Sequence, residues 1–283
     1  MKTNEEKLPV LVVQGEVTPS KANSRGKMDT EGFTFYLPST GGITLNVKIG
    51  DKATGWLSDH LEPGASTRNP VGELNNAYLA YSCIGNDAYV VSGDAKGAKG
   101  FVTGKHGGCD HVMIYFDDDT LRNLSIGDKI QVHSKGQGLS LIEHKDIVLR
   151  NLSPELLHKM NIKELSGKIK IGVSKIVPGA LMSSGLGAVH SVMGDYDISL
   201  HDAALVSEYS LKDLRFGDIV AIMDSDSRHG HTYVSGAVTI GVVVHGDCYI
   251  PGHGPGVTCL MSAKNGLIEP FIDQNANLAK YFI

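Results

Sequence analysis

Val238-Thr239-Ile240-Gly241-Val242-Val243-Val244, running into His245-Gly246-Asp247, is nearly unbroken β-branched sequence. Branching at Cβ stiffens χ1 and suits the pleated surface of a sheet. A run with no polar alternation marks a strand buried on both faces. A histidine ending such a strand is held rigidly while its ring reaches a cleft.

Working upstream, Asp218–Met223 reads as the neighbouring strand. An antiparallel hairpin would put Asp224 beside Ala237. His245 would then stand about eight residues up the strand, roughly 26 Å away at about 3.3 Å per residue. Asp224 and His245 could not share an ion in that arrangement, and the loop between the strands is short for a parallel crossover.

Further upstream, Val10–Val13, Phe33–Leu37, Ile43–Ile49, Ala77–Ile84, Ala88–Ser92, Gly100–Gly104, His111–Phe116 and Lys129–His133 read as short strands. Asp59–Arg68, with Pro63 and Gly64, reads as loop. The 34 glycines and 6% aromatic content fit many turns and bulges. Ser153, Pro154 and Glu155 form a capped helix start, and Leu200–Glu208 is a second short helix. A boundary near Ser166-Gly167 divides the chain into residues 1–165 and 166–283. The fold class is therefore mainly β, with several short-stranded barrel- or sandwich-like sub-domains and one or two short helices.

One sequence echo supports repeated units. Leu121-Arg122-Asn123-Leu124-Ser125-Ile126-Gly127-Asp128 and Leu211-Lys212-Asp213-Leu214-Arg215-Phe216-Gly217-Asp218 each precede a strand. Gly makes a tight turn and Asp bonds nearby backbone N–H groups, so Asp128 and Asp218 read as structural. Two copies point to two barrel-like units.

The chain has 283 residues, 41% hydrophobic and 20% charged, with a net charge of -5. Acidic and basic residues are interspersed, which excludes the concentrated basic face of a nucleic-acid binder. The apolar runs are too short for a membrane-spanning helix. The charged opening Met1–Lys7 is unlike a signal or transit peptide, so the cytoplasm is the expected location. Cys83, Cys109, Cys248 and Cys259 show no CxxC spacing. The expected partner is a small molecule, and a homo-oligomer is compatible with this composition.

Asp, His and Gly gather around Gly194–Asp197 and Asp224–Gly256. In extended chain Asp195 and Asp197 share one face. Paired carboxylates repel unless a cation, a basic residue or a shared proton relieves them. His245 and His253, the latter set in Gly252-His253-Gly254-Pro255-Gly256, complete one divalent-metal set with Asp195 and Asp197; Zn, Mn or Fe would suit it. Asp224 and Asp226 form a rival cluster that reads equally as a hairpin tip. In Gly104-Lys105-His106-Gly107-Gly108, Lys105 and His106 could hold a phosphate or carboxylate, with Gly254 and Gly256 allowing close backbone approach. Cys109 with His106 or His111 is a weaker nucleophile–base pair. No P-loop, GxSxG or HExxH is present.

Gly41–Thr44, Ser92–Gly97, Val102–Gly108, Gly194–Ile198, Gly217–Ile222 and Gly252–Val257 together resemble a prokaryotic family known as a domain of unknown function, DUF4438. The resemblance spans most of the chain and implies a mainly-β architecture with more than one sub-domain. It carries no activity. A weaker likeness, in Pro178–Leu181 and the Asp/His/Gly-rich C-terminal part, is to acetamidase/formamidase enzymes, which are metal-assisted amide hydrolases.

These readings favour a metal-assisted hydrolase of a small polar substrate, an amide among them. Asp195, Asp197 and His245 would be catalytic, one carboxylate serving as general base. Two alternatives stand beside it: a non-catalytic module binding an anionic metabolite, and an oligomeric structural protein.

Overall fold

Gly127 and Gly217 both take positive φ, at +90° and +81°, and the aspartate after each closes the same turn. Asp128 Oδ2 accepts the Ser125 N–H at 2.8 Å, and Asp218 Oδ2 accepts the Arg215 N–H at 2.9 Å. Each turn launches a strand from a fixed point.

The structure is a computed structural model and describes residues 1–22 and 27–283. In chain order, β1 (Leu11–Val17) is followed by a two-stranded ribbon of β2 (Lys27–Met28) and β3 (Thr34–Phe35). Then come β4 (Ile43–Thr44), β5 (Gly64–Arg68), α1 (Gly72–Tyr81), β6 (Asp87–Val90), β7 (Lys99–His106), β8 (His111–Tyr115), α2 (Asp118–Asn123) and β9 (Lys129–Ser134). The remainder carries β10 (Val148–Leu149), α3 (Pro154–Lys159), β11 (Ile162–Leu165), β12 (Lys168–Val173), β13 (Lys175–Pro178), β14 (Tyr196–Asp197), α4 (Ala203–Glu208), β15 (Ile219–Asp226), β16 (Thr232–Val243), β17 (Gly256–Ala263), β18 (Ile268–Ile272) and α5 (Leu278–Phe282).

The first sheet runs β1-β9-β6-β7-β8-β5-β4, and β1 pairs back onto β5. Six antiparallel strands thus close into a barrel, which removes free edges. The second sheet runs β10-β17-β16-β15-β13, with β14 paired to β17. Among the described residues no pairing closes it, so the second Gly-Asp turn feeds an open sheet rather than a second barrel. A smaller sheet, β11-β12-β18, lies apart. The result is mainly β, as the sequence suggests.

The Val238–Val244 run behaves as its composition predicts: Ile240, Val242 and Val243 are fully buried, and Val244 is nearly so. Each such side chain contributes about 1.5–3 kcal/mol by leaving water. Met223 pairs with Val238 in the antiparallel β15–β16 hairpin, and Asp224 Oδ1 accepts the Gly236 N–H at 2.8 Å.

Two local expectations are overturned. Ala77–Ile84 is not a strand, because α1 occupies residues 72–81. Its buried residues Asn75, Tyr78 and Leu79 are spaced three and four apart, a helical stripe rather than an alternation. Asp59–Arg68 is only partly loop, since Gly64–Arg68 forms β5. Its small and polar side chains hide it; Thr67 Oγ1 donates to the Val112 carbonyl at 2.8 Å inside the barrel. The helix start at Ser153 is as expected, with its hydroxyl accepting the Leu156 N–H at 3.1 Å.

Barrel and open sheet meet along β7 and β17. The Lys105 N–H donates to Thr258 Oγ1 at 3.3 Å, and that hydroxyl donates back to the Lys105 carbonyl at 3.0 Å. Gly104 permits this approach: a Cβ there would lie 2.4 Å from Val244 Cγ1. The seam brings His106, ending β7, beside His245, just beyond β16.

Candidate metal centre

His245 is fully buried. Its Nδ1 lies 2.9 Å from the Gly246 carbonyl, which can only accept, so Nδ1 carries the proton and donates. Nε2 faces inward. Asp195 Oδ2 stands 2.7 Å from that nitrogen, yet neither atom makes a hydrogen bond, and both are buried. Gly256 backs this point: a Cβ there would fall 2.0 Å from Asp195 Oδ2 and 2.2 Å from His245 Nε2. Asp197 Oδ1 faces the same nitrogen at 3.5 Å. The pairing of β14 with β17, Asp197 opposite Gly256, holds both aspartates in place.

His106 repeats the pattern. Its Nδ1 is 2.7 Å from Glu62 Oε1, so Nε2 again faces inward. Glu62 is fully occupied as an orienting group: it also faces His111 Nδ1 at 2.9 Å and accepts the Gly41 N–H at 2.7 Å and the Ser66 hydroxyl at 2.5 Å. Burial alone would raise the Glu62 pKa, but His106 and His111 outweigh it and hold the carboxyl well below its usual range.

His60 follows suit from the barrel side. Its Nδ1 is 2.8 Å from Asp59 Oδ1, and its Nε2 lies 3.1 Å from His253 Nδ1 and 3.7 Å from Asp197 Oδ2. His253 Nδ1 is 3.2 Å from Asp197 Oδ2. Three histidines thus each tether Nδ1 to an oxygen and present Nε2 to one centre, the arrangement that fixes the ring of a metal-binding histidine. The rings crowd together, with His106 and His245 stacked at 4.0 Å between centroids.

Glu62, Asp195 and Asp197 are buried, and their ion-pair partners among the described residues are all histidines. Burial lowers the His245 pKa, but the Asp195 and Asp197 carboxylates override it and raise it well above the usual value. Asp195 and Asp197 are likewise held low despite burial, chiefly by His245. Burial and the neighbouring His245 lower His106, which stays neutral. The ligand atoms of His106, Asp195 and His245 lie within 4.8 Å of one another, as do those of His60, Asp197 and His253; both groups could hold a metal ion. A cavity of about 480 Å³ opens onto them, with His60, His106, Asp195, Asp197 and His253 in its wall.

The structure therefore brings together Asp195, Asp197, His245, His253 and His106. Other candidates lie elsewhere or do something else. Asp224 caps the hairpin turn, and Asp226 pairs with Arg228 at 3.0 Å, so the rival cluster has no common ligand point. Lys105 does not face the cavity; its buried Nζ donates to Asn151 Oδ1 and the Val192 carbonyl, each at 2.7 Å. Gly254 presents its N–H to Asp197 Oδ2 at 3.3 Å, and Gly256 leaves room for the Asp195–His245 approach, so both shape the site through its ligands. Cys109 is a poor nucleophile. Burial, then the Glu62 and Asp195 carboxylates, push its pKa up, so it stays a thiol.

Sequence reasoning missed Asp59, His60 and Glu62, all in the stretch read as loop, and gave His111 only a base's role. The available signal was Asp59-His60-Leu61-Glu62 itself, three titratable groups in four residues.

No helix among the described residues is long and apolar enough to cross a membrane. No curated protein matches the chain. The solved structure entitled "Crystal structure of TM1086" is 44% identical, covers 100% of this chain and 99% of that one, and superposes with a TM-score of 0.96. None of the matches shows the acetamidase/formamidase likeness. Models of the N-terminal and C-terminal parts of the domain of unknown function DUF4438 match residues 27–158 and 159–282, and the chain belongs to that family.

Proposed function

We propose that the protein is a metal-assisted hydrolase acting on a small polar substrate, with an amide or ester as the class to test. The observation that carries this reading is the buried convergence of His106, His245 and Asp195, whose ligand atoms lie within 4.8 Å of one another. His106, His245 and Asp195 would hold a divalent ion such as Zn or Mn, which supplies an acidified water and polarises a carbonyl. Nitrogen and carboxylate donors suit these ions. Glu62 keeps His106 in the binding tautomer, and the Gly246 carbonyl does the same for His245. The cavity, about 480 Å³, is of a size that takes small ligands.

The anion-binding alternative loses part of its support, because the Gly107 N–H is already donated to Asp195 Oδ1 at 2.7 Å. Metal content of the purified protein and of His245→Ala tests the reading, together with turnover of small amides and esters. Near-stoichiometric Zn, Mn or Fe in the wild type, lost with turnover in the variant, is the expected result. A wild type that takes up no divalent ion would sink the assignment.

A further inference from the structure

Asp197 has two faces. Its Oδ1 lies 3.5 Å from His245 Nε2, on the side of Asp195 and His106. Its Oδ2 lies 3.2 Å from His253 Nδ1 and 3.7 Å from His60 Nε2, and those two nitrogens are 3.1 Å apart. Nitrogen and oxygen ligands held about 2.0–2.1 Å from a tetrahedral ion sit roughly 3.3 Å from each other. The triangle of His60, His253 and Asp197 has that size.

We propose that the centre takes two divalent cations, bridged by the Asp197 carboxylate. His106, His245 and Asp195 hold one ion; His60 and His253 hold the other. The proposal rests on the metal-hydrolase reading above and extends it to a second site. Three features support the second site. The Asp59 carboxylate tethers His60 Nδ1 at 2.8 Å, leaving Nε2 as the donor facing inward. Asp197 is buried while its ion-pair partners are histidines from both sides, so its two oxygens are presented to two separate nitrogen sets. His253 comes from the loop before β17 and His60 from the segment before β5, so the second set joins the open sheet to the barrel.

Two ions held by these residues would supply an acidified water on one side and polarise the substrate carbonyl from the other. Asp197 is then a bridge, whereas the sequence left the general base open between the two carboxylates. A carbonyl or phosphoryl oxygen entering the cavity would meet the His253 side first, since that side chain is 35% exposed while His245 is fully buried.

The test is a calorimetric titration of the chelator-stripped full chain with Mn²⁺, read beside electron paramagnetic resonance of the loaded protein. The expected result is two equivalents with the spectrum of a spin-coupled pair, falling to one equivalent with an uncoupled spectrum in His253→Ala. His60→Gln serves as a second variant and should also bind one equivalent. One equivalent in the wild type, kept in His253→Ala but lost in His245→Ala, would overturn the bridged pair and leave the single-ion hydrolase standing. Two equivalents with no spin coupling would overturn the bridge. No uptake at all would overturn both readings.

Discussion

His245 Nε2 and Asp195 Oδ2 form a buried pair 2.7 Å apart, ring nitrogen against carboxylate. Here the His245 proton sits on Nδ1, bound to the Gly246 carbonyl, and the second ring nitrogen is reserved. In the metal-free protein a second proton fills that place, because the Asp195 and Asp197 charges raise the His245 pKa well above its usual value despite burial. Metal and proton therefore compete for one lone pair.

This competition sets two opposite pH dependences. In the metal-free protein, the charged His245 contributes stability that is fully present below about pH 6.5, the value in the unfolded chain. That contribution is lost as pH rises through the raised folded value. Melting curves of chelator-treated protein from pH 6 to 8 should show falling Tm, and His245→Gln should flatten the slope. Metal affinity should move the other way, rising by up to about tenfold per pH unit as the proton leaves. A metal affinity unchanged over that range would contradict the role given to His245.

Glu62 orients two rings, His106 at 2.7 Å and His111 at 2.9 Å. In Glu62→Gln one amide end becomes a donor and meets ring N–H groups that also donate. His106 should lose its fixed tautomer, and Mn²⁺ or Zn²⁺ affinity should fall about 10- to 100-fold. Titration of the folded variant, checked by circular dichroism, measures this. An unaltered affinity would show that the His106 ring needs no such tether.

Gly256 offers a steric test that leaves every ligand in place. An added Cβ would lie 2.0 Å from Asp195 Oδ2 and 2.2 Å from His245 Nε2, so the two side chains must move apart. Gly256→Ala should therefore lose metal stoichiometry and lower Tm. Gly72→Ala, where nothing lies within 4 Å of the added atom at the start of α1, should keep the metal stoichiometry and leave Tm the same or slightly raised. If Gly256→Ala loads metal normally, the ligand point lies elsewhere.

The parts of this site that the sequence made legible were those carried by regular strands. Asp195 and Asp197 share a partner because extended chain repeats every two residues, and His245 is rigid because Val242 and Val243 before it are buried. The antiparallel hairpin also kept Asp224 with Gly236, far along the strand from His245. What stayed hidden comes from long-range closure. His60 and Glu62 reach the centre because the following β5 pairs with β8 and, closing the barrel, with β1, and no local pattern encodes those pairings. β5 itself, Gly-Ala-Ser-Thr-Arg, lacks the apolar alternation that marks a strand. The helix at Gly72–Tyr81 was obscured by its aromatic and β-like residues, although its buried stripe has helical spacing.

Lys105 shows how a loop motif misleads when its burial is unknown. Beside His106 in a glycine-rich run it suggests an anion ligand, but its ammonium is sealed in the seam between barrel and sheet, bonded to Asn151 Oδ1 and the Val192 carbonyl. Burial lowers its pKa to about 8. Between about pH 8 and 10.5 the unfolded chain holds a proton that the folded protein has released, so this group makes stability rise with pH there. Lys105→Met removes that rise. It also takes a donor from three acceptors, Asn151 Oδ1 and the Val192 and Ala80 carbonyls; the buried Asn151 oxygen alone costs about 1–3 kcal/mol, partly offset by removing a buried charge. The expected outcome is a lower Tm at pH 7, a flatter stability profile above pH 8, and unchanged metal stoichiometry. A variant with wild-type stability but lost ligand binding would return Lys105 to the role its sequence context suggests.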